Sequence, residues 1–479
     1  MDPSMALFGQ GLPPVPGAEA FSNWEEFRKS VVAGYGTELS TLTGGGALRV
    51  ESLEATLMSV VQRMEHFRLF NQLSKSPATA TVDEWTEMSS TGGYSGSAFN
   101  TELGTIVEEA GSYARRVALV KYLMTRRSVS FVQNVQQSLI SAKAQEEVNG
   151  TLEILRSAEW AFFNGNATAH PSEYDGIPTV ILASGTSDQI IDAGGKPLSF
   201  PLMNLAAEVV FSEGHYGIPT DLYVSPLAQS DLDASLDPAF RVPLPDVPNG
   251  GVMLGSPVKG IRTSWGDIAN KPDIFLQESP MPPEGKTPNR ATATAPAPPV
   301  SIVPASPTGT DGSFTAAQAG TYYYAATSIS DSGESTMVVS SQMTVAAGNH
   351  VVIVITRPSA ADAVGYNIYR GKLGCATYAA ADFRLIHRLV DSGSSTSTWT
   401  DKNEYLPGCS GAYVLNLNPA FQAMSVRQML PMTRFQLYPT VKAEDPWAQL
   451  LFMYLRVSKA LQHIWIKNVL PSKASWKPY

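Results

Sequence analysis

The sequence predicts an α+β chain interrupted late by an all-β unit, and three observations carry that expectation. An amphipathic helical stripe over 142–164 follows two extended segments. Short strands and helices then alternate from about 175 to 277. Beyond them lies a stretch at 280–308 with nine prolines, and short strands set apart by turn residues follow it. At 479 residues the chain exceeds one ordinary domain, and 43% hydrophobic residues suffice for several cores.

Residues 1–50 are rich in Gly and Pro and read as an extended arm. From Glu51, the residues Leu53, Leu57, Val60, Val61, Met64 and Phe67 share one helical face, which predicts a helix over about 51–70. Residues 71–106 are small and polar without helical period. They read as a loop or a long β-hairpin whose partners lie on another chain. Tyr113 to Val132 is strand-like. The clearest helix follows, with Ala144, Val148, Leu152, Leu155, Ala158 and Phe162 on one side. Asn164-Gly165-Asn166 is its expected C-terminal cap.

Further on, Leu202, Leu205, Ala206, Val209 and Val210 mark a second helix. Asp221 to Val224 reads as a buried strand, with Ser225-Pro226 opening the helix after it. Between 291 and 360 only Asp311, Asp331, Glu334 and Arg357 are charged, and strands are expected at 321–328, 342–345, 351–356, 366–369, 383–389 and 396–400. That spacing argues for a sandwich. The remainder, with Val426 to Tyr438 strand-like and Asp445 to Val469 partly helical, is too small to fold alone. It is expected to complete the earlier core, which makes the β-unit an insertion.

Composition narrows the function. A formal net charge of -9 without a basic stripe argues against a groove-reading nucleic-acid binder, though not against a protein that encloses nucleic acid. The first residues, Met1-Asp2-Pro3-Ser4, lack the pattern of a signal peptide. Trp447 to Leu470 carries Arg456, Lys459, His463 and Lys467, so it reads as an amphipathic helix and not as a membrane span. Two cysteines, Cys375 and Cys409, are expected as free thiols in a reducing compartment.

No catalytic constellation emerges. The six histidines are scattered, and the zinc, nucleophile-elbow and phosphate-loop motifs are absent. Gly214-His215-Tyr216-Gly217 reads as a turn, and Glu146-Glu147 as a solvated or intersubunit face. Tyr322 and Tyr324 fall on one strand face and Tyr323 on the other, so core packing accounts for at least part of a triplet that otherwise suggests a sugar platform. No cofactor and no metal are expected.

The order of parts resembles the Hong Kong 97-type major capsid proteins of tailed phages. Trp160-Ala161-Phe162-Phe163-Asn164-Gly165-Asn166 followed by Tyr174-Asp175-Gly176-Ile177 looks like the end of a capsid spine helix. Tyr223-Val224-Ser225-Pro226 is similar to an axial-domain strand entering a helix. The resemblance implies an N-terminal arm and helix at 1–70, an extended E-loop at 71–106, and a peripheral domain at 107–174 with its spine helix at 142–164. It further implies an axial domain at 175–279 and a closing return at 411–479. Thr321 to Thr327, Gly333-Glu334-Ser335, Gly365 to Arg370 and Thr398-Trp399-Thr400-Asp401 resemble fibronectin type III and immunoglobulin-like modules. This unit would span 309–410, behind a Pro-rich linker at 280–308.

The implied function is structural. Copies would join as hexameric and pentameric capsomers into an icosahedral shell around double-stranded DNA, with portal and scaffolding or decoration proteins as partners and no membrane. Assembly would take place in the host bacterial cytoplasm. The loop and the strand after it supply the candidate subunit contacts: Trp85, Gly92, Gly93, Tyr94, Arg115 and Arg116. One alternative is a secreted or surface carbohydrate-binding protein, or a glycosidase, with a fibronectin module. It calls for a signal peptide and a binding or catalytic cluster. Another is an encapsulin-like compartment, against which the insertion and the long polar loop argue.

Overall fold

The computed structural model describes residues 63–90, 92, 99–105, 110–135, 141–184, 187–235, 258–276, 295–305, 309–360, 362–375, 379–439 and 442–479. The expected arm at 1–50 and most of the expected helix at 51–70 lie outside these residues. Within them, a 3₁₀ turn at Met64–His66 precedes helix α1 (Arg68–Gln72), and Phe67 interrupts the two with φ -86 and ψ 79.

Strand β1 (Lys75–Pro77) leads to a hairpin of β2 (Val82–Ser90) and β3 (Ser112–Leu119). Strand β4 (Lys121–Ser130), the short helix α2 (Phe131–Val135) and the long helix α3 (Ala142–Asn164) follow. Of the expected α3 stripe, Leu155, Ala158 and Phe162 are buried and Leu152 is half-buried, whereas Ala144 and Val148 in the first two turns are exposed. Two strands from the far end of the chain, β20 (Met424–Gln436) and β21 (Glu444–Val457), complete a four-stranded sheet in the order β1-β20-β21-β4.

Helix α3 lies on that sheet. Gly150 faces the sheet, where a Cβ would crowd the side chains of Gln449 and Arg127. Gln449 in turn donates to the Glu147 carbonyl at 2.8 Å. Helix α3 ends where the sequence expects: Gly165 is its C-cap, with φ -63 and ψ 139, and its amide donates to the Ala161 carbonyl at 2.9 Å. Glycine is required there by crowding: a Cβ would meet the Tyr174 carbonyl oxygen at 2.3 Å and that of Ala161 at 2.6 Å.

The second body is a mixed six-stranded sheet, ordered β5-β22-β19-β6-β8-β7. Its strands are β5 (Ile190–Asp192), β6 (Asp221–Val224), β7 (Gly260–Thr263), β8 (Gly266–Pro272), β19 (Ser410–Leu415) and β22 (Ile464–Val469). Helices α4 (Ile177–Ser184), α5 (Phe200–Phe211) and α6 (Pro226–Ser235) belong to this half of the chain. Ala206, Val210 and Leu232 pack against Leu222, Val414 and Ile466 in one core. As the sequence suggests, β6 is buried at every position, and Ser225 Oγ accepts the Ala228 amide at 3.2 Å to open α6. His215 sits in a turn, where its carbonyl and that of Tyr216 each accept from Gln462 Nε2 at 3.1 Å.

The closing segment is not partly helical. Glu444–Val457 and Ile464–Val469 are strands parted by a 3₁₀ turn at Ala460–Gln462. Apolar residues occupy both parities of β21, and the spaced charges Arg456, Lys459, His463 and Lys467 imitate the polar stripe of a helix. Pairing decides the outcome: Trp447, Gln449, Leu451, Met453, Leu455 and Val457 alternate inward, which is the period of a strand.

Between β8 and β19 the chain builds two sheets over one core. One is β18-β15-β9, from β9 (Ser301–Pro304), β15 (Val351–Thr356) and β18 (Thr396–Asp401). The other joins β12 (Gly333–Glu334), β11 (Tyr324–Ser330), β16 (Gly365–Gly371) and β17 (Phe383–Val390), with β13 (Val338–Val339) on β11. A small pair, β10 (Gly320–Tyr322) and β14 (Met343–Val345), flanks them. Ile302, Ile353 and Ile355 of the first sheet share a core with Tyr324, Tyr366 and Ile368 of the second. Tyr322 joins the same core, while Tyr323 packs beside Tyr369 and Phe383 in another.

The far end of the Pro-rich stretch is therefore not spacer. β9 pairs with β15, and Pro304 is tolerated because β9 is an edge strand. Nor does the unit hang from its two connections. Arg388 of β17 grips Glu173 with two hydrogen bonds of 2.7 and 2.8 Å and lies 5.3 Å over the Trp160 ring at the end of α3. Ser172 donates to Asp331 at 2.6 Å, and the Leu373 amide donates to the Pro478 carbonyl at 2.9 Å. Cys375 and Cys409 are not joined in a disulfide.

Candidate subunit interface

The hairpin β2–β3 has two unlike faces, set by strand alternation. Asp83, Trp85 and Glu87 stand opposite Ala118, Arg116 and Ala114 and are half-buried against the body. Val82, Glu84, Thr86 and Met88 stand opposite Leu119, Val117, Arg115 and Tyr113 and are exposed.

The inner face is anchored by charge. Arg427 of β20 holds both oxygens of Asp83 at 2.9 and 3.3 Å, and the Tyr454 hydroxyl donates to the same carboxylate. Burial works against ionisation, yet these bonds hold the Asp83 carboxyl below its ordinary value. Trp85 packs on the main core with the Arg456 guanidinium 5.1 Å over its ring. A cleft of about 390 Å³ remains beneath the hairpin, lined by Trp85, Ala118, Tyr174, Val180, Leu455 and Val457 among others.

Of the candidate contact residues, Trp85 is thus an inward anchor. Gly92 has φ 78, and a Cβ on it would meet the Ala110 carbonyl oxygen at 2.8 Å, so it shapes the hairpin end. Arg115 pairs with Glu84 and Arg116 with Glu87 at 3.0 Å, both within the hairpin. Gly93 and Tyr94 lie outside the described residues. Sequence reasoning missed the outer apolar row of Val82, Met88, Tyr113, Val117 and Leu119. Its signal was available in the alternation of Tyr113, Arg115, Val117 and Leu119, but the long polar neighbour segment masked it.

Among the described residues, no group of three or more His, Cys, Asp or Glu side chains is placed to hold a metal ion. No helix among them is long and apolar enough to cross a membrane.

No family model matches the chain. It is 24% identical over 462 residues to the major capsid protein of Staphylococcus phage S25-3, covering 93% of this chain and 95% of that protein. It is 25% identical over 252 residues to a protein described as a major capsid protein of Enterococcus phage phiEF24C, covering 51% and 53% of the two. Among solved structures, the capsid of a native GTA particle aligns over 90% of this chain and 99% of that one, with TM-score 0.47 and 10% identity.

Proposed function

We propose that this chain is the major capsid protein of a tailed phage, a structural subunit that self-assembles into the shell around the genome. One observation carries the reading: similarity to a phage capsid protein runs through 93% of this chain and 95% of the relative, so the likeness spans the whole architecture and not one module. The chain works by forming surfaces and not by catalysis. The named relatives favour this reading over the carbohydrate-binding and encapsulin-like alternatives.

In finer terms, we read the four-stranded sheet with α3 as the peripheral domain and its spine helix, the six-stranded sheet as the axial domain, and the hairpin as the E-loop of a Hong Kong 97-type subunit. The two-sheet unit is read as an immunoglobulin-like insertion. The outer row of Val82, Met88, Tyr113, Val117 and Leu119 is then the surface that a neighbouring copy covers. Its exposure opposite an anchored inner face supports this, because a contiguous exposed apolar row marks an interaction surface. Hexameric and pentameric capsomers, a double-stranded DNA cargo, portal and scaffolding or decoration partners, and assembly in the host cytoplasm belong to the same reading.

The test is expression of the full chain followed by sedimentation and proteolysis. Assembly into particles with the hairpin protected from protease supports the proposal. A monodisperse monomer under all assembly conditions, with the hairpin cut freely, overturns it.

A further inference from the structure

Two carboxyl groups are sealed together in the main core. Glu159, near the C-terminal end of α3, is fully buried, and its two oxygens accept the Leu69 and Phe70 amides at the start of α1, at 2.7 and 2.8 Å. Asp273, just past β8, is 1% exposed. Its amide donates to the Val224 carbonyl at 2.8 Å, and its Oδ1 accepts the Phe275 amide at 2.8 Å. Its Oδ2 is buried and has no ordinary donor. The two carboxyls face each other within hydrogen-bond reach, and neither forms an ion pair among the described residues. Two carboxyls this close in a dry core do not both ionise, and in direct contact a shared proton is what holds them. The segments they hold also touch directly, since Phe67 stacks on Phe275 with ring centroids 5.6 Å apart.

We propose that Glu159 and Asp273 share one proton, and that this proton latches the Phe67–Gln72 segment to α3 and to the turn after β8. When rising pH removes it, two negative charges face each other in a dry core and the segment loosens.

The surrounding groups are consistent with this. Arg68 on α1 is the cation whose field reaches Asp273, and it favours the charged form. Tyr174 and Tyr223 face Glu159 as neutral phenols, their own ionisation pushed up by burial and then by nearby carboxylates. Burial dominates both acids. It pushes Asp273 up to about 6 and Glu159 well above its ordinary value. In the unfolded chain both acids titrate near their ordinary values, so above those values the folded state holds the extra proton. Stability from this pair is therefore full at low pH and falls in two steps as pH climbs: near 6 the pair yields its first proton and keeps one shared, and the shared proton leaves only at the higher step set by Glu159.

The discriminating variant is Asp273→Asn. Its amide oxygen can still accept from Phe275, and its NH₂ donates to Glu159 permanently, replacing the proton. Hydrogen exchange of residues 67–73 is read in the full-length protein and in this variant at each pH from about 5 to 10, so the intrinsic pH dependence of exchange cancels. The ratio of wild-type to variant exchange is expected to rise by about tenfold or more, the equivalent of one pKa unit. A ratio that stays flat overturns the latch. Should the variant not fold, infrared titration of the wild type serves instead. A protonated carboxyl band that outlasts the exposed acids and then vanishes at higher pH supports the proposal, and its absence refutes it.

Discussion

Single residues set the tolerances of this fold, and Gly165 shows how. The chain reverses so tightly after α3 that a Cβ at this position would fall 2.3 Å from the Tyr174 carbonyl oxygen. Gly165→Ala is expected to destabilise the protein by roughly 1–3 kcal/mol, because backbone and not a flexible side chain must move. Chemical denaturation measures it, and an unchanged midpoint would show that the turn is softer than the geometry implies. Arg388 is the second such residue. Its fork to Glu173 and its stacking over Trp160 are both largely shielded from water. Arg388→Ala should cost about 2 kcal/mol and raise protease sensitivity at the junction between the two-sheet unit and the body. Arg388→Lys should restore only part of this, since an ammonium cannot reproduce the fork.

At the scale of elements, the hairpin offers a test by charge exchange. Arg115 pairs with Glu84 across the strands at an exposed position, so the pair contributes at most about 1 kcal/mol to the fold. Swapping the two charges, Glu84→Arg with Arg115→Glu, should leave the subunit folded with unchanged thermal stability. If the hairpin face meets a neighbouring copy, the same double variant should assemble poorly, because the swapped signs face an unchanged partner. Normal particle yield would mean that no partner charge reads this face.

What the sequence disclosed about elements follows from how strongly each pattern excludes its rivals. Helix α3 was legible because Ala144, Val148, Leu152, Leu155, Ala158 and Phe162 repeat at a period that no strand can satisfy. β15 and β17 were legible because β-branched and aromatic residues stand between Gly, Asn and Ser turns. β21 and β22 were not, because they are apolar on both faces and only pairing with β4, β20 and β19 resolves the ambiguity. Residues 71–106 read as either a loop or a long β-hairpin because Val82, Trp85 and Met88 recur every third residue among Asp83, Glu84 and Glu87, which is not the alternation of a strand. The anchoring of Asp83 by Arg427 joins residues 344 positions apart and leaves no local trace.

For the whole molecule, the two-sheet unit has its own core yet is seated on the body through Arg388, Ser172 and the Pro478 carbonyl. Replacing residues 300–403 by a short Gly/Ser linker should therefore leave a body that folds and still assembles. Its thermal midpoint should fall, because Trp160 loses its cover. Complete loss of particles would mean that the unit bridges neighbouring copies. Electron microscopy of the purified protein under assembly conditions decides whether this chain is a shell subunit. A shell subunit gives closed shells, or ring-like capsomers of five and six copies; a uniform field of single subunits would show that it is not one.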